Sequence, residues 1–449
     1  MTGKFLSWTG RACSVGAATA IAFLLAAPAT VVNGQQQPTF RAAVDLVAVD
    51  VQVVDSDGFP VTTLGPEDFQ VRFNGRDRRV ATVEFIQSTA VDETAPRRVT
   101  SGPMATNLWP TADVAQTGRT YVLAFDTYSF TVQESRDVVA AARGFIRRLQ
   151  PNDVVGLYTF PVGPRMEPTL EHNLVSQAVD QIVGRSQNVP GEHNLTATEI
   201  IDITSEISRE RSGNRGFGPA VPSNSSLALI DTGDGSALQR VQLRECGSVS
   251  SACADMINTE ASTMAYYLEG RATEGLNGLR SLIQLLNEQP GRKTVVLFSA
   301  GIPTSDRPGG RPDVGDLAKL LGQDAAATNT SIYTLHLDSR ATRALNAEAR
   351  RSGSTPNAHS RDMAVGGRLL EEFSGASGGA LMRVLLGGGE VALDRVLRET
   401  SSHYLLGVEP DASDRDGRLR ELRVQVVDRP GLTIRSRSWV VIPAASSSD

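Results

Sequence analysis

Several short stretches of this 449-residue chain place side by side the residue types that do chemistry. Gly375 to Gly379 reads "GASGG", the G-x-S-x-G spacing of a hydrolase nucleophile elbow. That elbow lifts its serine on a strained turn from a strand into a helix. Here "RLLEEF" before Ser377 has helical spacing and "GALMRVL" after it reads as strand, the reverse order. Helix termination and a turn explain those glycines better than catalysis does. "DSDG" at Asp55–Gly58 and "DRDG" at Asp414–Gly417 alternate carboxylates as calcium loops do, but neither continues to the glutamate that completes an EF-hand loop. Both separate strand-like runs, where Asp-Gly makes a hairpin turn. "GGGEVA" has G-x-G spacing before a helical run without an acidic residue at ribose distance, so it reads as a flexible loop. The five histidines, His172, His193, His336, His359 and His403, show no ligand spacing with the cysteines. His403 opens an apolar strand and reads as structural.

Cys246 and Cys253 are an even pair with six residues between them. A disulfide is the expected state if the chain is exported. Export is indicated at the start: Lys4 and Arg11 precede an apolar run from Cys13 through Val32, small residues Ala26, Ala27 and Ala29 follow its centre, and "NGQQQPT" is polar. That arrangement predicts a signal peptide over residues 1–34, cleaved between Ala29 and Gly34. The Gly, Ala, Ser and Thr in the run dilute it below what a membrane anchor of about 20 residues needs, so no stable span is expected after cleavage.

Composition narrows the function classes. Hydrophobic residues are 40% and charged residues 21%, which argues against wholesale disorder and a multi-span membrane protein. Lys+Arg total 44 against Asp+Glu 50, a net charge of −6, so no nucleic-acid partner held by a general basic field is expected. The length suggests roughly three domains, or one large one with additions.

The elements that position these residues fall into blocks. "AAVDLVAVDVQVV" alternates with period two, and "VTTLGPEDFQVRFNG" and "RRVATVEFI" add short β segments, giving an N-terminal β unit over 35–87. Residues 88–118, rich in Thr, Ala, Pro and Ser, read as a linker. From 119 to 408 apolar strands alternate with helical runs: "TYVLAFD", "VQESRDVVAAARGFIRRL" and "DVVGLYTF" first, then "LNGLRSLIQLLNEQPG", "RKTVVLFS" and onward to "HYLLGVEP". That alternation predicts an α/β domain with a doubly wound, mostly parallel sheet. Residues 184–274 interrupt it as an insertion that projects as a cap. Residues 409–441 read as a C-terminal β hairpin and 442–449 as a loose tail. The terminal β segments are expected to combine into a small β-sandwich-like unit.

At "TYVLAFDTYSF", "GRKTVVLFSAG", "TSIYTLHLD" and "SSHYLLGVEP" followed by "VQVVDRPGLTIRSRS", the chain resembles the bacterial VWFA-related family. The opening "VDLVAVDVQVVDSDGFPVTTLGPEDFQV" is similar to that family's N-terminal unit, and the resemblance runs in order over about residues 40–441 apart from the insertion. It implies an exported protein with a von Willebrand factor A-like domain of Rossmann-type topology, flanked by β segments. It also implies a Mg²⁺ or Mn²⁺ site at the carboxyl ends of the central strands, built from D-x-S-x-S, a later Thr, and an Asp after "TVVLFS". Asp126 matches the first position, but Tyr128 and Phe130 stand where the serines belong, and Ala300 stands where the second acid belongs. Ser129 and Thr131 are hydroxyls displaced by one residue. The implied ligands are therefore Asp126, Ser129 and Thr131 in a degraded site, so no resident cofactor is expected. The competing reading has Asp126 capping the next helix or bonding loop amides. The functional expectation is an exported, non-enzymatic binding or scaffold protein with an unidentified protein partner. The alternatives are a structural envelope component, and a serine hydrolase acting through Ser377.

Overall fold

Alternating valines start the fold. The computed structural model describes residues 46–88, 118–186, 191–211, 236–307, 309–338, 356–385 and 387–444. The signal peptide, nearly all of the linker, the Gly/Ser/Pro-rich part of the insertion and residues 445–449 of the tail lie outside them. Strand β1 (Val47–Val54) turns Val47, Val49, Val51 and Val53 inward, and β2 (Phe69–Phe73) does the same with Phe69, Val71 and Phe73. Strands β3 (Arg76–Arg78) and β4 (Val80–Gln87) complete the N-terminal set.

The α/β part begins with β5 (Thr120–Asp126), α1 (Ser135–Ile146), β6 (Val154–Phe160), β7 (Arg165–Thr169) and α2 (His172–Val179). After the insertion come β8 (Lys293–Ser299), α6 (Leu317–Ala327), β9 (Thr330–Asp338), α7 (Pro356–Ala376), β10 (Ala380–Leu385) and α8 (Gly389–Glu399). The sheet order is β10-β9-β8-β5-β6-β7, parallel except for β7 at the edge. Both faces of the four central strands are buried because their side chains have somewhere apolar to go. Tyr121, Leu123 and Phe125 pack with Val138, Ala142 and Phe145 of α1, Val175 of α2, and Leu393 and Val396 of α8. Val122 and Ala124 face the other way, onto Leu321 of α6 and Leu370 and Phe373 of α7. Phe125 and Phe298, neighbours on β5 and β8, stack with ring centroids 4.7 Å apart. Each such buried side chain contributes on the order of 1.5–3 kcal/mol.

The insertion is a helical unit with its own core. It comprises α3 (Ala197–Arg211), α4 (Ala237–Cys246) and the first half of the 35-residue α5 (Ser251–Leu285). Ile200, Ile203, Val241, Ile257, Ala261 and Met264 pack together there. Cys246 ends α4, Cys253 lies in the first turn of α5, and the two form a disulfide. The second half of α5 turns Leu276, Leu279 and Ile283 onto the central sheet. A single helix thus crosses the expected boundary at 274. Nor does the described part of the insertion stand clear as a cap: Asp362 of α7 accepts from the Thr198 amide and hydroxyl at 2.8 and 2.6 Å, and Thr204 donates to the Arg311 carbonyl at 3.0 Å.

The chain ends close the second unit. Strands β11 (Ser402–Val408), β12 (Leu419–Val426), β13 (Thr433–Ser436) and β14 (Trp439–Val441) follow α8. They interleave with the N-terminal strands into two four-stranded sheets, β13-β1-β11-β4 and β14-β12-β2-β3, around Val49, Val71, Phe73, Tyr404, Leu406 and Val440. Two expectations are corrected. β11, read as the last strand of the α/β unit, lies between β1 and β4 instead. The C-terminal segments do not form one hairpin, because β13 pairs with β1 while β12 pairs with β2 and β14. Physically, β1 is apolar on its inner face and needs a partner on each edge, which β11 and β13 supply. Glu399, at the end of α8 and fully buried, fixes β13 by accepting from Arg435 at 2.6 and 3.1 Å. Tyr333 of β9 donates to Gln52 of β1 at 2.7 Å and ties the two units together.

The two Asp-Gly segments differ. Asp55 caps its own turn, accepting from the amides of Asp57 and Phe59, with Gly58 at φ +82°. Asp414 instead turns inward and takes a two-pronged contact from Arg78 at 2.6 and 3.0 Å, both side chains under 5% exposed. Breaking a buried pair from one side strands a charge, so Arg78→Ala is expected to lower stability by about 3–5 kcal/mol in urea unfolding. The double variant Arg78→Met/Asp414→Leu should recover much of that loss. A single-variant loss under about 1 kcal/mol, typical of exposed pairs, would contradict this role.

Candidate functional site at the strand ends

α1, which follows β5, lies on one face of the sheet, and α6, which follows β8, lies on the other. The chain therefore diverges between β5 and β8, and side chains at the carboxyl ends of those strands border a crevice. Asp126 is the last residue of β5 and Ser299 the last of β8. Phe125 is level with Phe298, and Ser299 with His336, so Asp126, Ser299 and His336 form one row across three adjacent strands.

Asp126 is 6% exposed, and Ser299 donates to its carboxylate at 3.0 Å. Burial pushes its pKa up to about 6, against the pull of the Ser299 hydrogen bond, the Arg271 charge and the Ser129 hydroxyl. Ser129 donates to the Asp126 carbonyl at 2.7 Å and accepts from the Ala300 amide at 2.9 Å, joining the two strand-end loops. Thr131 has a different task. Its amide donates to the Glu134 carboxylate at 2.7 Å and its hydroxyl accepts from the Glu134 amide at 3.4 Å, a reciprocal box that closes the turn into α1. The T-x-x-E spacing of Thr131 and Glu134 is the sequence signal for this role. Phe130 is fully buried in the core beneath α1.

Of the three residues implied as metal ligands, the structure brings Asp126 and Ser129 together and places Thr131 in the helix entry. This donor set does not fit Mg²⁺ or Mn²⁺, which want several ionised or carbonyl oxygens in near-octahedral array. One carboxylate is present, its basicity is raised, and the Ser129 proton already points to a backbone carbonyl. Among the described residues no three His, Cys, Asp or Glu side chains gather as a metal set.

Two participants carry no motif in the sequence. His336 is fully buried, and burial pushes its pKa down to about 4, so the ring is neutral at physiological pH. Glycine makes its room: a Cβ at Gly367 would sit 2.8 Å from Nδ1, and one at Gly301 3.1 Å from Nε2. Arg271 projects from α5, with its guanidinium carbon 5.5 Å from the Tyr128 ring centroid and 5.6 Å from that of Tyr267. Tyr267 and Arg271 are four residues apart and so share a helix face. One turn away Arg311 lies over Tyr266 at 4.4 Å, held by Glu269 at 2.6 and 2.8 Å. Tyr266 and Tyr267 are 59% and 41% exposed.

The remaining candidates are structural. Ser377 is buried between α7 and β10, donating to the Ser374 carbonyl at 2.8 Å and accepting from the Ile332 amide at 2.9 Å. His403 lies 3.6 Å from Asp50, and burial pushes its pKa down to about 4. No protein-family profile matches this chain, and no curated protein is similar to it in sequence.

The Asp126 environment has a sign that can be tested. An unfolded Asp releases its proton near 3.8, whereas the folded carboxyl holds it up to about 6. The folded state thus binds more protons in that window, and stability falls as pH rises from 3.8 to 6, by up to about 3 kcal/mol. Asp126→Asn keeps an acceptor for Ser299 and should flatten this slope, melting above the parent at pH 7.5 and level with it near pH 4. A variant that melts below the parent at pH 7.5 would contradict the raised pKa.

Proposed function

We propose that this chain is an exported, non-enzymatic binding or scaffold protein whose strand-end face makes a protein–protein contact. The observation that carries the reading is Arg271 within cation–π distance of both Tyr128, two residues past Asp126, and Tyr267, with Tyr266 and Tyr267 exposed. Tyr and Arg dominate the energetic centres of protein interfaces, because each offers a large rigid surface with a polar end. The switch point of an open α/β sheet is where such folds receive ligands. The resemblance to the VWFA-related family, with a von Willebrand A-like domain presented between β segments, supports the same reading, and the disulfide in the insertion agrees with an oxidising compartment. Ser377, the candidate nucleophile, has its hydroxyl engaged in packing, which disfavours the hydrolase alternative. Among the described residues no helix is long and apolar enough to cross a membrane.

The test is a pull-down from envelope extract with the chain lacking residues 1–34. We expect a protein captured by the parent and lost, or reduced at least about tenfold, with Tyr128→Ala/Tyr267→Ala, as loss of two central aromatics would give. Recovery of nothing above background, together with self-association in light scattering, would favour the structural envelope component instead.

A further inference from the structure

We infer that the cleft where the terminal β unit meets the amino ends of the central strands is a binding site for a small free oxyanion of the phosphate or sulfate class, held by Arg292 and Arg437. It lies at the opposite end of the sheet from the strand-end face and does not depend on the protein-contact reading above.

The cleft has a volume of about 260 Å³, mouth included, and its walls include Arg292 just before β8, Ser331 at the start of β9, Asp50 of β1, and Arg435, Ser436 and Arg437 at and just past the end of β13. Three arginines meet there, and an ion pair takes up only one of them. Arg435 is engaged by Glu399, which accepts from it at 2.6 and 3.1 Å. The one hydrogen bond that Arg292 makes among the described residues goes to the Ser331 hydroxyl, at 3.4 Å. Arg437 donates to the carbonyls of Ala326 at 3.3 Å and Ala48 at 2.8 Å, and its Nε is buried with no hydrogen-bond partner. Asp50 offsets one of these two charges. Despite burial, His403, Arg437 and Arg292 hold its carboxyl below the usual carboxylate range, so it is ionised. His403, 3.6 Å from Asp50, is neutral and adds no charge. Burial and the Arg292 charge push the Arg437 pKa down although Asp50 pulls the other way, yet a guanidinium stays protonated. The cleft therefore carries one positive charge in excess.

A buried donor left without a partner is costly, and more so when it is charged. An oxyanion presents acceptors all round and matches a guanidinium two-pronged, so one ion can take donors from Arg292 and Arg437 together with a serine hydroxyl of the same walls. Gly378 allows the two units to close here: it sits at φ +81°, and a Cβ on it would come within 2.8 Å of the Arg437 amide nitrogen. A divalent cation is disfavoured by the two guanidiniums, and a polyanion such as a nucleic acid by the size of the cleft and the net charge of −6. Because the walls come from β1, β9 and β13, a bound ion ties the terminal β unit to the α/β sheet and stabilises the folded chain by mass action.

The test is the melting temperature of the chain lacking residues 1–34 as inorganic phosphate or sulfate replaces chloride at constant ionic strength, with the affinity read by titration calorimetry. A saturable rise is expected for the parent. Arg292→Gln removes a side chain with a single long hydrogen bond, so it should melt with the parent in chloride. It should bind phosphate at least about tenfold more weakly, as loss of one charge-assisted contact gives. Arg292→Lys should fall between, since an ammonium keeps the charge and loses the fork. If Arg292→Gln does not fold, Arg292→Lys against parent carries the comparison. The inference is overturned if neither ion raises the melting temperature, or if phosphate binds Arg292→Gln as tightly as the parent. It is also overturned by a rise that never saturates and is equal in parent and variant, because salts excluded from the surface stabilise any fold in that way. Phosphatidylglycerol vesicles that sediment with the parent and not with Arg292→Gln, while free phosphate has no effect, would overturn it in favour of a lipid headgroup.

Discussion

A parallel sheet is covered on both faces, because the crossover connections that join its strands lay helices against them. Here that requirement is met most strictly at β8 and β9, where all seven and all nine residues are buried. Cover on both faces forces α1 to one side and α6 to the other, and their divergence opens the crevice between β5 and β8. The site is thus a consequence of packing. Any residues at the last positions of those two strands would border it, and in this chain they are Asp126 and Ser299.

What those residues become depends on burial. A carboxyl removed from water resists ionising unless charge or hydrogen bonds compensate. Asp126 receives the Ser299 hydroxyl and the field of Arg271, and its pKa still rises. The same low-polarity setting keeps His336 neutral beneath the glycines of the neighbouring loop and helix. Arg271 of α5 reaches toward the same strand end, 5.5 Å from the Tyr128 ring centroid and 5.6 Å from that of Tyr267. The helix that delivers it begins in the insertion and ends on the sheet, so the insertion core and the crevice are mechanically one piece.

The sequence made the central sheet legible because its strands are near-continuous apolar runs and its helices carry apolar residues at helical spacing. The Cys246–Cys253 pair was legible from an even count of cysteines beyond residue 34, read together with the export signal. Partner choice among the outer strands was not: the apolar pattern of β11 tells that it is buried, and says nothing about whether β9 or β1 lies beside it. The continuity of α5 was obscured by Gly270, Gly275 and Gly278, which resemble a break. Gly278 is there because a Cβ would come within 2.9 Å of the Phe160 side chain. In the site, Asp126 was found through family resemblance, whereas Arg271 sits well over a hundred residues away and joins it only through the fold. The Thr131–Glu134 box could have been read from its spacing, and would have removed Thr131 from the ligand set at the outset.

The central claim is that the residues of this crevice do not hold a divalent ion. Its most direct test is the melting temperature of the chain lacking residues 1–34 in EDTA and then with millimolar Mg²⁺ or Mn²⁺. A ligand present at about 100 times its dissociation constant stabilises the folded state by about 2.7 kcal/mol, well within detection. The account predicts the same melting temperature in all three conditions. A rise with Mg²⁺ or Mn²⁺ that disappears in Asp126→Ala would contradict it, and would show that Asp126 and its neighbours rearrange to hold the metal.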